Sequence, residues 1–187
     1  GDEIIQIGAV RVVGGRVLTG EGVEWLVNPG RPIPPGSIKF HGLTDADVAH
    51  EPPIQDVLPE FKAFVGDAVM VAHNAAFDMK FISMKERRAG VKFDNPVLDT
   101  MMISAMLDGG EEDHSLDALC ERYGFSIGGR HTALGDTMGT ADLLIKLIDR
   151  LEAKGIATFG EVMAASNMAA ELRHRSAVVS HSSVAGG

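Results

Sequence analysis

Two stretches of this 187-residue chain carry side chains whose types and spacing suit metal-assisted hydrolysis. The first is VAHNAAFDMKF, residues 71–81. A short apolar run ends at His73 and reads as a buried strand, and a helical pattern follows. Asn74 is a suitable N-cap for that helix, which puts Asp78 in its first turn at the strand's carboxyl end. Open sheets flanked by helices bind ligands at that end of their strands. The second stretch is HTALGD, residues 131–136. Thr132 reads as an N-cap, so Asp136 lies in the first turns of a long helix and His131 sits just outside it. On one continuous helix a spacing of five would hold the two side chains apart in angle. With His131 in the preceding loop they can converge, and a neutral imidazole beside a metal-bound carboxylate suits removal of a proton from water. Taken singly, each Asp is more readily a dipole-matching acid in a first helical turn. Phe77, likewise, is more readily core than a platform for a base. Together, two Asp residues that open two helices, one with a His nearby, make half of a two-metal site.

Other candidates carry less. Asp99, in LDT, reads as a helix cap before it reads as a supporting carboxylate, and His41, in FHGLT, suits a turn as well as a substrate contact. Asp113-His114 reads as a solvated loop, and Cys120 as a small core residue on an apolar face.

The elements that must position these residues are legible in outline. Ile4 to Val13 reads as a strand, Gly14-Gly15 as a two-residue hairpin turn, and Val17 to Val27 as the return. NPGRPIPPG, residues 28–36, is a loop, after which Thr44 can cap a short helical turn. Residues 54–65 carry a helical stripe, and 68–73 a short strand. Phe77 to Ala89 reads as a helix closed by basic residues and Gly90. Val97-Leu98 is a further short strand, Ser115 to Tyr123 a short helix stopped by Gly124, and Ala133 to Ala153 a long one. Residues 159–175 suit one more helix, and 176–187 are expected to be disordered. Strands first, then strands alternating with helices, imply a mixed sheet flanked by helices. The domain division is 1–155, followed by a C-terminal segment 156–187.

Composition narrows the class. The hydrophobic fraction is 45% and the charged fraction 23%, as in ordinary globular proteins. A single cysteine excludes an internal disulfide framework and fits a reducing compartment, so a cytoplasmic location is expected. No apolar run approaches the ~20 residues that span a bilayer. The net charge of −9 argues against a broad basic surface along a nucleic-acid backbone. It leaves room for a nuclease whose carboxylates hold cations that meet phosphate.

DEIIQIGAV, KFHGLTDADV, VAHNAAFDMKF, LDT, SLDALCERYG and HTALGDTMGTADLL, in this order and spacing, resemble the DEDDh (DnaQ-like) 3′→5′ exonucleases over roughly residues 2–150. The resemblance is strongest to the proofreading epsilon subunits of bacterial DNA polymerase III. It implies a ribonuclease H-like sheet and two divalent cations, Mg²⁺ or Mn²⁺, held by four carboxylates. It implies hydrolysis at the 3′ end of single-stranded DNA to nucleoside 5′-monophosphates, and a DNA polymerase subunit as partner. By the same resemblance Asp78 and Asp136 are metal ligands, His131 is the general base, and His41, His73 and Phe77 lie near the 3′ end.

The chain departs from that pattern in one place. The family's first motif, Asp-x-Glu, belongs to a strand preceding the one that matches DEIIQIGAV. Asp2-Glu3 cannot replace it, because adjacent residues of a strand point to opposite faces while i and i+2 share one. The expectation is a sheet lacking its first strand, with a gap between the 4–13 and 68–73 strands. Two other readings stand beside the exonuclease: a catalytically silent ribonuclease H-like binding domain, and an RNA-directed enzyme of the oligoribonuclease or ribonuclease T kind.

Overall fold

The structure is a computed structural model that describes residues 3–109, 112–129 and 131–169. Strand β1 (Gln6–Ala9) pairs antiparallel with β4 (Val23–Leu26), with Gln6 opposite Leu26 and Gly8 opposite Glu24. Between them β2 (Val12–Val13) and β3 (Arg16–Val17) form the expected hairpin. Its turn holds Gly14 and Gly15 at φ 57° and 73°, the backbone that such turns demand. A helix that the pattern did not announce, α1 (Pro35–His41), starts at the end of the Pro-rich segment, with Pro35 at its first position and Gly42 closing it at φ 77°. In α2 (Asp45–Val48) the Asp47 carboxylate accepts hydrogen bonds from the Thr44 N–H and hydroxyl at 2.7 and 2.6 Å.

Helix α3 (Ile54–Val65) buries Ile54, Val57, Leu58 and Phe61. A β-α-β unit follows: β5 (Met70–Ala72), α4 (Ala75–Ala89) and β6 (Val97–Asp99), the two strands parallel. Then come α5 (Thr100–Asp108), α6 (Leu116–Tyr123) and α7 (Ala133–Ala153). Helix α5 was not expected; α6 and α7 start and stop where their caps predict. Residues 159–169 are helical, and Val162 joins the core; the segment expected to be a disordered tail lies outside the described residues.

The core falls into two clusters. One gathers Val27, Ile54, Val57, Leu58, Phe61, Ile82 and Phe93. The other gathers Ile103 with Leu119, Cys120, Leu143, Leu147, Leu151 and Val162, which seats Cys120 in the core as expected. Across the second, Arg150 bridges the Asp108 carboxylate at 2.6 Å and the Tyr123 hydroxyl. That guanidinium holds the Asp108 carboxyl below the usual carboxylate range.

The architecture is mixed α/β, with helices flanking small sheets, as expected. The antiparallel pair β1–β4 and the parallel pair β5–β6 are separate: among the described residues no strand joins β1 to β5. An open cleft of about 1460 Å³ is lined by both β1 and β5. Among the described residues no helix is long and apolar enough to cross a membrane.

Leu147 of α7 is fully buried in the cluster that α7 forms with α5 and α6. Leu147→Ala is expected to cost about 2–5 kcal/mol in urea unfolding, whereas the exposed Val13→Ala should change stability by less than about 0.5 kcal/mol. Equal small effects at both positions would contradict this packing.

Candidate active site

Strand β5 delivers the chain to His73, which lines the cleft but spends its ring on the protein. Its Nδ1 lies 2.9 Å from the Thr100 hydroxyl, and its Nε2 2.8 Å from the His114 carbonyl. A carbonyl only accepts, so Nε2 carries the proton. His114 is itself buried at 8% exposure, which corrects the solvated-loop reading of Asp113-His114. Both of its ring nitrogens find partners, Ser104 Oγ at 3.0 Å and the Gly109 carbonyl at 2.7 Å, and a satisfied imidazole can be buried.

Asn74 stands at the N-cap of α4, but not as expected. Its backbone is left-handed, at φ 64°, and its side chain makes no cap bond. A capping side chain needs extended backbone to reach back to its helix. Asp99 does the capping from the next strand. Its Oδ1 accepts from the N–H groups of Asn74 (3.0 Å) and Met101 (2.9 Å), and its Oδ2 from Ala75 (3.0 Å). The cap reading of LDT was right for α5 and understated, since one carboxylate starts two helices. Asp78, one turn along α4, opens onto the cleft beside Phe77, which is 57% exposed and packs on Phe81 at 4.9 Å between centroids. Solvent reaches Asp78, but the cleft wall crowds it. That desolvation, with the Asp99 charge second, pushes its carboxyl up to about 6.

The second limb is the start of α7. Its free N–H groups are met one by one: Ala133 by Gln6 Oε1 (3.0 Å), Leu134 by Glu24 Oε1 (3.2 Å) and Gly135 by Thr132 Oγ1 (3.1 Å). The Thr132 cap is the expected one; Gln6 and Glu24 come from β1 and β4. Asp136 lines the cleft, and its Oδ1 accepts from the backbone N–H of His131 at 3.0 Å. His131 is left-handed, at φ 71°. Among the described residues the only non-glycine positions with positive φ are Asn74 and His131, one at the head of each Asp-bearing helix. Such strain gathers at functional sites.

His73, Phe77, Asp78 and Asp136 therefore share one cleft. His131 reaches it through Asp136 and is not part of its lining. His41 ends α1, outside the lining, with its Nδ1 accepting from the Leu43 N–H at 3.1 Å. Glu3 pairs with Lys85 of α4, while Asp2 lies outside the described residues. Among the described residues no three His, Cys, Asp or Glu side chains converge as a metal site. Asp78 and Asp136 have the hard oxygen donors that Mg²⁺ and Mn²⁺ prefer. They fit as a partial donor set, since two cations carry four charges.

A family model described as an exonuclease, RNase_T, matches residues 1–144. The chain belongs to this family of DEDDh exonucleases. It is 53% identical over 165 residues to the DNA polymerase III subunit epsilon-like protein of Rhodobacter capsulatus, covering 87% of this chain but 23% of that protein. It is 40% identical over 150 residues to the DNA polymerase III subunit epsilon of Aquifex aeolicus, covering 80% of this chain and 73% of that one. Against a PolC-type DNA polymerase III of Caldanaerobacter subterraneus it spans only 11% of the relative's length. Among solved structures it resembles Exonuclease X in complex with 5′ overhanging duplex DNA, at TM-score 0.68 and 30% identity over 87% of this chain and 90% of that one. Exonuclease I of E. coli, in complex with a dT13 oligonucleotide, shares the fold at TM-score 0.70 and 16% identity, over 87% of this chain and 42% of that one. The fold is thus ribonuclease H-like.

Because the folded-state pKa of Asp78 lies above the ordinary carboxylate value of 3.8, the native state holds that proton more tightly than the unfolded chain. Its contribution to stability therefore falls as pH rises from about 4 to about 6 and stays reduced above. In metal-free buffer Asp78→Asn should raise Tm at pH 7.5, with the gain vanishing below pH 4. A variant no more stable than the parent at pH 7.5 would contradict the shift.

Proposed function

We propose that this chain is the catalytic domain of a divalent-metal-dependent 3′→5′ exonuclease. It would remove nucleoside 5′-monophosphates from the 3′ end of single-stranded DNA, in proofreading or repair, beside a DNA polymerase subunit in the cytoplasm. The observation that carries this reading is the pair Asp78 and Asp136, each in the first turn of a helix, opening onto one cleft. Asp78 and Asp136 would hold the cations. Bound cations supply the positive charge that meets the phosphate and favour ionisation of water. His131, held against Asp136 through its backbone, would take the proton from the attacking water. Exposed Phe77, backed by Phe81, offers an aromatic face on which the terminal base can stack. His73 braces the turn between β5 and α4, and His41, which ends α1 outside the cleft lining, would be a further contact to the strand.

Asp78 and Asp136 are half of the carboxylates that such a site needs. The cleft between β1 and β5 supports a source for the rest. Two strand edges that line one cleft, without a strand between them among the described residues, can accept one extended segment. Carboxylates at i and i+2 of that segment would share a face, as Asp-x-Glu requires. The silent-domain reading is favoured by one observation, the partial donor set, and the same experiments separate the two.

In the full-length protein, His131→Ala should lower turnover of 5′-labelled single-stranded DNA by ~10²–10⁴ with Tm preserved. Near-normal cleavage would remove His131 from the role of base. Faster cleavage of short RNA than of DNA would move the substrate to RNA, and no cleavage of either by the parent would favour the silent domain. Separately, a preparation whose intact mass matches these 187 residues should show little nuclease activity. Robust Mg²⁺-dependent degradation by that preparation would sink the strand proposal.

A further inference from the structure

We infer that Gln6, Gly8 and Glu24, on one face of the β1–β4 pair, are positioning residues that fix where α7 begins and so where Asp136 and His131 stand against Asp78. This rests on the exonuclease reading only for its consequence in catalysis; the seat itself is geometric.

Gln6 and Gly8 alternate along β1 and so share a face, and Glu24 stands opposite Gly8 on β4. Gln6 is flanked by Ile5 and Ile7, in a strand that otherwise carries no hydrogen-bonding side chain. The Gln6 and Glu24 oxygens accept the N–H groups of Ala133 and Leu134, two consecutive donors that a helix start cannot satisfy by itself. Gly8 supplies the clearance. A Cβ there would lie 2.5 Å from the Ala133 carbonyl carbon and oxygen, and 2.8 Å from the Leu134 nitrogen. Those are backbone atoms, so no side-chain rotation relieves the clash. On the far side of the same turn, a Cβ on Gly135 would lie 2.1 Å from the Gly129 carbonyl oxygen. The first turn of α7 is thus clamped between the sheet face and the 128–129 backbone, and neither contact leaves room for the turn to slide.

Asp136 follows the clamped residues directly, and its carboxylate is tied to the His131 N–H. Shifting the start of α7 therefore moves both candidate groups together. Thr132 alone would cap the helix. What the strand side chains add is a fixed relation between α7 and the sheet.

The test uses near-isosteric pairs in the full-length protein: Gln6→Met and Glu24→Met remove the acceptor, while Gln6→Glu and Glu24→Gln keep it. On single-stranded DNA with a free 3′ end, each Met variant should lose about tenfold or more in kcat with KM changed less than about twofold, and each acceptor-keeping variant should recover to within about threefold of the parent. Met variants with parental kcat, while folded at the assay temperature, overturn the proposal, as would an equal loss in the acceptor-keeping variants. An activity-independent arm separates this from failure of the exonuclease reading. By amide NMR, the Met variants should speed hydrogen exchange at Ala133 and Leu134 and shift the His131 and Asp136 resonances. Those changes in a protein that never cleaves nucleic acid leave the seat standing and remove the nuclease. Their absence removes the seat whatever the activity. Gly8→Ala, whose Cβ would press on the Ala133 backbone, should displace the same resonances further in the folded protein.

Discussion

The first turn of every α-helix leaves N–H groups without partners, and in this molecule the candidate site depends on how those groups are met. Asp99 meets them for α4 and α5 together, and Gln6, Glu24 and Thr132 meet them for α7. A cap reached from another element does two things at once. It stabilises a helix end, and it fixes that end in position relative to the element that supplies the acceptor. Asp78 and Asp136 sit one turn or less beyond ends secured in this way. The spacing between the two carboxylates is therefore set by hydrogen bonds between the sheets and the helices, and much less by the helices' own sequences.

That arrangement also carries a cost near the cleft. The Asp99 charge that anchors the start of α4 stands close enough to Asp78 to hinder its ionisation, adding to the desolvation from the cleft wall. A carboxylate raised in this way is poorly placed for stability alone and well placed to receive a cation, whose charge reverses both effects. The left-handed backbones of Asn74 and His131 have the same character. Each is strained where a glycine would be relaxed, and each lies at the head of a helix that bears a candidate ligand.

Much of this was legible in the residues. The stripe and Thr132 marked α7, Gly14-Gly15 marked the hairpin, and the two Asp residues announced themselves by standing just inside helix starts. What escaped was non-local. Asn74 has the right type for a cap, but the acceptor that serves α4 comes from Asp99, a partner 25 residues away. Helix α1 hid in a Pro-rich stretch, because Pro is a breaker inside a helix and a good starter at its first turn. Helix α5 is nine residues long and follows a strand directly, too short for a stripe to declare itself. His114 looked like a solvated loop residue because nothing in its sequence neighbourhood shows Ser104 Oγ waiting for it. Gln6 gave the one readable hint of the α7 seat, a lone amide in an apolar strand.

The separation along the chain between partners in these caps bears on the order of folding. The bond from Asn74 to Asp99 closes 25 residues, whereas the bond from Ala133 to Gln6 closes 127. In chain-entropy terms the longer closure costs about 1.4 kcal/mol more. The β5–α4–β6 unit can complete its helix start from its own segment. The α7 start has a local cap in Thr132, but its tie to the sheet requires the antiparallel pair to be formed. The position of Asp78 is thus secured by a closure within 25 residues, whereas that of Asp136 against the sheet depends on one that spans 127.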